Sequence, residues 1–271
     1  MASNLAAVGL AVESEGDLNR MIQSMSHDFK LLGRAAGIDI WRWQDPSGAR
    51  LIVSTQEDAI RAFTPSFAGT PGARLAAVEA VNDDVSRADV IDDTDHQPTA
   101  LTLELEQRDL VRGARVKGEA ALVALASEIT IHSDAEAFAA SSASLLDAEG
   151  ATSQPPAHFV EKGWAWPPRM GPESFISYGV FEQPDVATAF ARLHGTVVTA
   201  DLRTNSLTGQ RFIAARVRSS GFEADLCMSA REHAIVPGPG AVVGGTVFMV
   251  GSIDAWTVHS IVILGATSHT H

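Results

Sequence analysis

One cysteine, Cys227, stands in 271 residues. That excludes an intrachain disulfide and any multi-cysteine metal site, and it sets a reducing compartment as the expectation. Cys227 lies in an apolar stretch and reads as a small buried hydrophobe. Basic residues are also scarce, 20 against 33 acidic ones, for a net charge of −13. A chain this acidic is a poor partner for nucleic acid or an anionic membrane. Several catalytic signatures are missing: no G-x-S-x-G, no H-E-x-x-H, no Walker A sequence and no C-x-x-C. Gly238-Pro-Gly240-Ala-Val-Val-Gly244 approaches a dinucleotide fingerprint, but the spacing is wrong and it leads into a strand, so no helix N-terminus would meet a phosphate. No basic segment precedes an apolar core at the N-terminus, so no secretory signal is read and the expected location is cytoplasmic.

The acidity is uneven. From His194 onward five arginines (203, 211, 216, 218 and 231) balance five acids (Asp201, Glu223, Asp225, Glu232 and Asp254), so the whole deficit falls on residues 1–193. Residues 234–253 carry no charge. Two prolines and five glycines in a β pattern make that run unsuited to a spanning helix.

Hydrophobic residues make up 45% of the chain, enough for a substantial core without staples. Leu5 to Val12 has the length of a strand. Ser14 is an N-cap with Asp17 three residues on, a capping-box variant. Leu18, Met21, Ile22, Met25, Phe29 and Leu32 then predict one helix face, ended by Gly33 and Gly37. Ile38 to Trp43 reads as a strand, Asp45-Pro46-Ser47-Gly48 as a turn, and Ala49–Ser54 and Ala59–Phe63 as two further strands. Residues 64–72 read as loop, Arg74–Val81 as a strand, and Asn82–His96 as acidic and mostly irregular. Thr99–Glu106 alternates as a strand does. Val116 to His132 admits strand or helix, and the Ile129-Thr-Ile131 end favours strand. It would show Ala121, Val123 and Leu125 on one face and Leu122, Ala124 and Ala126 on the other. Ser133 with Glu136 predicts a second capped helix whose apolar face uses Phe138, Leu145 and Leu146. A linker near 149–156 leads to an aromatic stretch, a short helix over Asp185–Leu193, and five strands at 194–203, 210–219, 222–228, 242–251 and 256–264.

The N-terminal order, with Trp43-Gln44-Asp45-Pro46-Ser47-Gly48-Ala49-Arg50-Leu51, resembles half of a glyoxalase-like (vicinal oxygen chelate) domain. That resemblance implies metal ligands near the first strand and after the D-P-x-G turn. Here those places hold Leu5-Ala6-Ala7-Val8 and Arg50-Leu51-Ile52-Val53, so neither supplies one. The C-terminal strand order resembles an OB-fold-like barrel. Leu202–Asn205, Leu207–Gly209, Ala214–Val217, Gly221–Asp225 and Gly245–Ile253, together with Glu173–Ile176 and the Asp-Pro-Ser-Gly turn, resemble a family of uncharacterised bacterial proteins. That family implies no known activity.

Candidate binding residues fall into three groups. Trp41 and Trp43 lie on one strand. Trp164, Trp166 and Tyr178 sit in the aromatic stretch 159–181, which either forms a partner surface or seals a domain junction, the second being preferred. Arg203, Arg216 and Arg218 offer a platform for single-stranded nucleic acid, or else pair across the sheet with Asp201, Glu223 and Asp225. Asp92, Asp93, Asp95 and His96 lack the glycine and spacing of a calcium loop and read as solvated loop. His27, His132, His158 and His194 stand isolated in sequence, and His269 and His271 sit in a tail.

The expected fold is α+β: an N-terminal β-α-β-β-β module and a second α+β segment in residues 1–148, an aromatic linker over 149–192, and a small antiparallel β-barrel over 193–271. The expected function is a non-catalytic binding or protein-interaction role toward a protein partner or small ligand, with no cofactor, no metal and no membrane. The alternatives are a metal-dependent glyoxalase-like enzyme and a single-stranded nucleic-acid binder.

Overall fold

The computed structural model describes residues 4–57, 59–147 and 154–259, the last six by their backbone. The protein is mainly β with few helices. β1 (Lys30–Ala35), β2 (Ile38–Gln44), β3 (Ala49–Gln56) and β4 (Ala59–Phe67) make an antiparallel sheet in that order. β5 (Ala73–Ala80), β6 (Ser86–Ile91), β7 (Thr99–Leu105), β8 (Arg115–His132), β9 (Ser174–Ser177), β10 (Phe190–Thr204), β11 (Arg211–Arg218), β12 (Glu223–Ser229) and β13 (Val242–His259) make a mixed nine-stranded sheet. The helices are short: α1 (Glu15–Ser24), α2 (Arg108–Val111), α3 (Ala135–Ala140) and α4 (Ala157–Lys162).

The large sheet is ring-like without being a barrel. Its pairings run in two circuits, β8-β5-β6-β7-β13 and β8-β12-β11-β10-β13, which share the long β8–β13 ladder. Each circuit closes through a short parallel patch: three residue pairs between β12 and β8, and two between β13 and β7. Patches this small join the strands without continuing the ladder around, and no OB-like barrel forms. Strands on both sides of the 149–192 segment belong to this one sheet.

β8 divides the interior, as its alternation foretells. Leu122, Ala124 and Ala126 join one core with Leu75, Leu101, Leu193 and Met249. Val123 and Leu125 join another with Leu18, Met25, Trp43, Leu51 and Phe212. A strand buried on both faces reads as a continuous apolar run, which is why helix and strand compete for it in the sequence.

Several expectations need correction. Leu5–Val12 is no strand: Ala6–Val8 form a 3-10 turn that ends at Gly9, whose φ of 71° terminates any regular element there. α1 is capped by the Ser14 hydroxyl accepting from the Asp17 N–H, as expected, but it ends at Ser24. Phe29 lies beyond it, and Leu32 and Gly33 belong to β1. The Asp45–Gly48 turn forms, with Gly48 at φ 94° donating to the Asp45 carbonyl at 2.9 Å. Pro65 sits in β4, and β6 occupies part of the segment expected to be irregular. The cap of α3 is Asp134, one residue after Ser133, and Leu145 and Leu146 lie outside the helix. Asp185–Leu193 is a 3-10 turn followed by the start of β10. The two strands expected at 242–251 and 256–264 are one continuous strand to His259; residues beyond it, His269 and His271 included, lie outside the described residues.

Candidate functional site

The four-stranded sheet carries two chemically opposite faces. On one, cross-strand register aligns Leu31, Trp41, Val53 and Phe63 in a single row. α1 lies over the middle of that row, because Leu18 and Met25 are buried in the core shared with Val53. At the open end a pocket of about 280 Å³ remains. Ile22, Phe29, Trp41, Val53 and Ile60 form its apolar wall; Gln23, Ser26 and Thr55 are its polar members. The Trp41 indole N–H donates to the Thr55 hydroxyl at 3.2 Å, which fixes the ring across β2 and β3. Leu31, Ile60 and Phe63 are each 40–49% exposed, so the apolar row extends past the cover that α1 provides.

The opposite face meets β7 and carries, beside an apolar cluster of Ile38, Ile40 and Ile52, a set of charged groups. Glu106 is fully buried; it accepts from the Ser66 hydroxyl at 2.6 Å and from Arg50 at 3.2 Å. Arg42 reaches the same carboxylate only at 4.0 Å. Glu104, two residues earlier, accepts from the Thr64 hydroxyl at 2.7 Å, and burial raises its carboxyl pKa against the lowering effects of Thr64 and Arg108. Sequence reasoning missed this network. The signal was present, since the alternation of Thr99–Glu106 places Thr102, Glu104 and Glu106 together on the face opposite Leu101, Leu103 and Leu105.

The expected binding residues scatter. Trp41 lines the pocket, whereas Trp43 is 5% exposed in the core. Trp164 and Trp166 pack edge-on against Phe159 in a local cluster around α4, with Lys162 stacked 4.5 Å above Trp164. Tyr178 is half-buried in a 3-10 turn after β9. The backbone between these aromatics is tied down at two places: the Met170 N–H donates to the Ser144 carbonyl and the Pro168 carbonyl accepts from the Leu146 N–H after α3, and β9 lies along β10.

The three arginines are engaged within the protein. Arg203 donates to the Ser47 carbonyl, stacks 5.3 Å from Phe67 and lies 3.6 Å from Asp201. Arg216 meets Glu223 and Asp225 at 3.0 Å each and donates to the Thr70 and Pro71 carbonyls. Arg218 pairs with Glu173 at 2.8 Å. Arg216 pairs across the sheet with Glu223 and Asp225, as one of the two sequence alternatives has it; Arg203 lies near Asp201 along its own strand, and the Glu173 partner of Arg218 is not among the expected acids.

His194 is buried beside Phe138, at 4.8 Å between ring centroids. Its Nδ1 is 3.0 Å from the Ser174 hydroxyl, which donates to the Gly171 carbonyl, and its Nε2 has no partner. Burial first, then the charges of Arg192 and His132, lower its pKa to about 4, so the ring is neutral at pH 7.

Among the described residues no three or more His, Cys, Asp or Glu side chains come together so as to hold a metal. Asp92 instead accepts from the Thr94 and His96 N–H groups and the Thr94 hydroxyl, closing its own turn. No helix among the described residues is long and apolar enough to cross a membrane. No protein-family model, curated protein or solved structure matches the chain.

Proposed function

We propose that this chain is a binding protein without a catalytic step, and that it takes a small aromatic or apolar ligand between α1 and the four-stranded sheet. The observation that carries the reading is the pocket beside Trp41. Its volume of about 280 Å³ is close to twice the ~150 Å³ that admits benzene, which suits a bicyclic ring or a short acyl chain. A mostly apolar wall with a few placed polar groups is the usual make-up of a ligand site. The Trp41 ring supplies a rigid face, and Gln23 and Ser26 at the rim can orient one polar atom of the ligand. The glyoxalase-like alternative requires three converging donors, and the described residues supply none. The nucleic-acid alternative rests on Arg203, Arg216 and Arg218, and those three are held in ion pairs and carbonyl contacts.

Indole serves as a probe, followed by calorimetry and thermal shift on protein stripped of bound hydrophobes. Saturable binding is expected, weakened at least tenfold in Trp41→Ala. Binding that survives unchanged in Trp41→Ala places the ligand elsewhere, and no binding by indole, naphthol or short acyl compounds removes the reading.

A further inference from the structure

The charged face of the same β1–β2 pair carries two cations, Lys30 and Arg42, that have no close hydrogen-bonding partner among the described residues. Lys30 stands directly opposite Arg42 in the antiparallel ladder. Like charges at opposed positions repel, so the pair costs stability unless an anion lies between or beside them. The nearest internal acid does not serve. Glu106 lies 4.0 Å from Arg42 and is already held by Arg50 at 3.2 Å and Ser66 at 2.6 Å. The Lys30 ammonium makes no hydrogen bond or ion pair with the described residues.

Gln44 completes the arrangement. Its side-chain oxygen accepts from Arg50 Nε at 2.9 Å, and a guanidinium only donates, so the Gln44 amide nitrogen is left as a free donor. Lys30, Arg42 and Gln44 line a recess of about 290 Å³ together with Asp28. Three of the four lining groups are donors, and two of them are cations.

We propose that this recess binds a small oxyanion, the phosphate or carboxylate group of a soluble molecule. The Arg42 fork meets two of its oxygens, the Lys30 ammonium supplies a point charge, and the Gln44 amide gives a third donor. The recess has room for the anionic group and part of the molecule bearing it. Asp28 disfavours a second negative charge nearby and so selects against polyanions. The chain as a whole, at −13, repels anions at long range, so the affinity must come from these short contacts and weakens with salt. No lining residue is shared with the apolar pocket, so the two sites stand or fall separately.

The test is titration with inorganic phosphate and, separately, with acetate, followed by calorimetry and amide chemical shifts at fixed ionic strength. Saturable binding of at least one anion in the millimolar range is expected, and which of the two binds tighter tells phosphate from carboxylate. Lys30→Gln, which removes an exposed side chain without partners and leaves the fold intact, is expected to weaken binding about tenfold. Asp28→Asn is expected to strengthen it several-fold. Lys162→Gln, a cation beside Trp164, changes nothing. An anion response that is identical in Lys30→Gln and wild type overturns the proposal, as does no response to either anion.

Discussion

Two adjacent rows of one small sheet differ by a single residue of register and are opposite in chemistry. Leu31, Trp41, Val53 and Phe63 form one row; Lys30, Arg42, Ile52 and Thr64 form the next. Strand side chains alternate, so each strand contributes to both faces. The apolar face is held by burial, which has no directional demand, and it tolerates an unfilled space beside Trp41. The other face joins an apolar patch of Ile38, Ile40 and Ile52 to a buried network in which Glu106 is held by Arg50 and Ser66. A void is therefore tolerated on the first face, whereas loss of a buried partner is not tolerated within the network of the second.

That contrast can be broken most severely at Glu106. Glu106→Ala leaves Arg50, with 13% of its side chain exposed, and Arg42 without their buried counter-charge. A loss of about 3 kcal/mol or more in urea unfolding is expected, as for other buried pairs broken on one side. A loss below ~1 kcal/mol would mean that the arginines re-solvate freely and that the face is not tightly closed.

His194 sharpens the same point from outside the sheet, since it is a buried polar group with one nitrogen already unpartnered. Its folded pKa of about 4 lies below the ordinary 6.5. The unfolded chain therefore takes up the proton first, and stability present above pH 6.5 is lost as pH falls toward 4. The full difference corresponds to about 3 kcal/mol. Urea midpoints for wild type and His194→Gln between pH 7.5 and 4.5 are expected to converge with acidification; parallel curves would show that His194 does not contribute.

Glu104 provides the smallest effect and the opposite sign to Glu106. Burial raises its carboxyl pKa, so the folded state holds the proton longer than the unfolded one. Stability from this group is complete below the unfolded value and is lost as pH rises through the raised one. Glu104→Gln keeps an oxygen for the Thr64 hydroxyl and is expected to raise the unfolding free energy at pH 7, read from urea titration, by about 1 kcal/mol or less. A destabilised variant would show that pairing with Arg108, at 3.7 Å, outweighs burial.

Local features were legible in the sequence wherever a short-range mechanism acts. The Ser14 cap, the Asp45–Gly48 turn and the two-faced pattern of Val116–His132 each rest on contacts within a few residues or on period-2 alternation. The helix beyond Ser24 was over-extended because Phe29 and Leu32 happen to continue the 3.6-residue spacing while facing different sheet surfaces. Ser133 and Asp134 are both competent caps, and Asp134 accepts from the Ala137 N–H. Strand partners were not legible. Nothing local says that β13 runs unbroken beside β8, or that β12 meets β8 in parallel, and those pairings turn the expected α+β plan with a separate barrel into one ring-like sheet. Of the candidate site, Trp41 is legible in the sequence, whereas Glu106, Lys30 and Arg42 are not, because their meaning comes from which residues stand opposite.

The shared β8–β13 ladder also sets a timetable for the nascent chain. Among the described residues, residues 121–132 of β8 pair as a strand only with β12 and β13, while β5 pairs with the first part of the strand. Roughly 110 residues separate the end of β8 from the start of β13. At 5–20 residues per second, the apolar run from Ala121 to Ala126 leaves the ribosome on the order of ten seconds before its long partner exists. Through that interval it is an open template for any other strand, and neither circuit of the sheet can close. Slower translation across residues 133–241 is therefore expected to lengthen that exposure, and chaperone cover over the same stretch to shorten it.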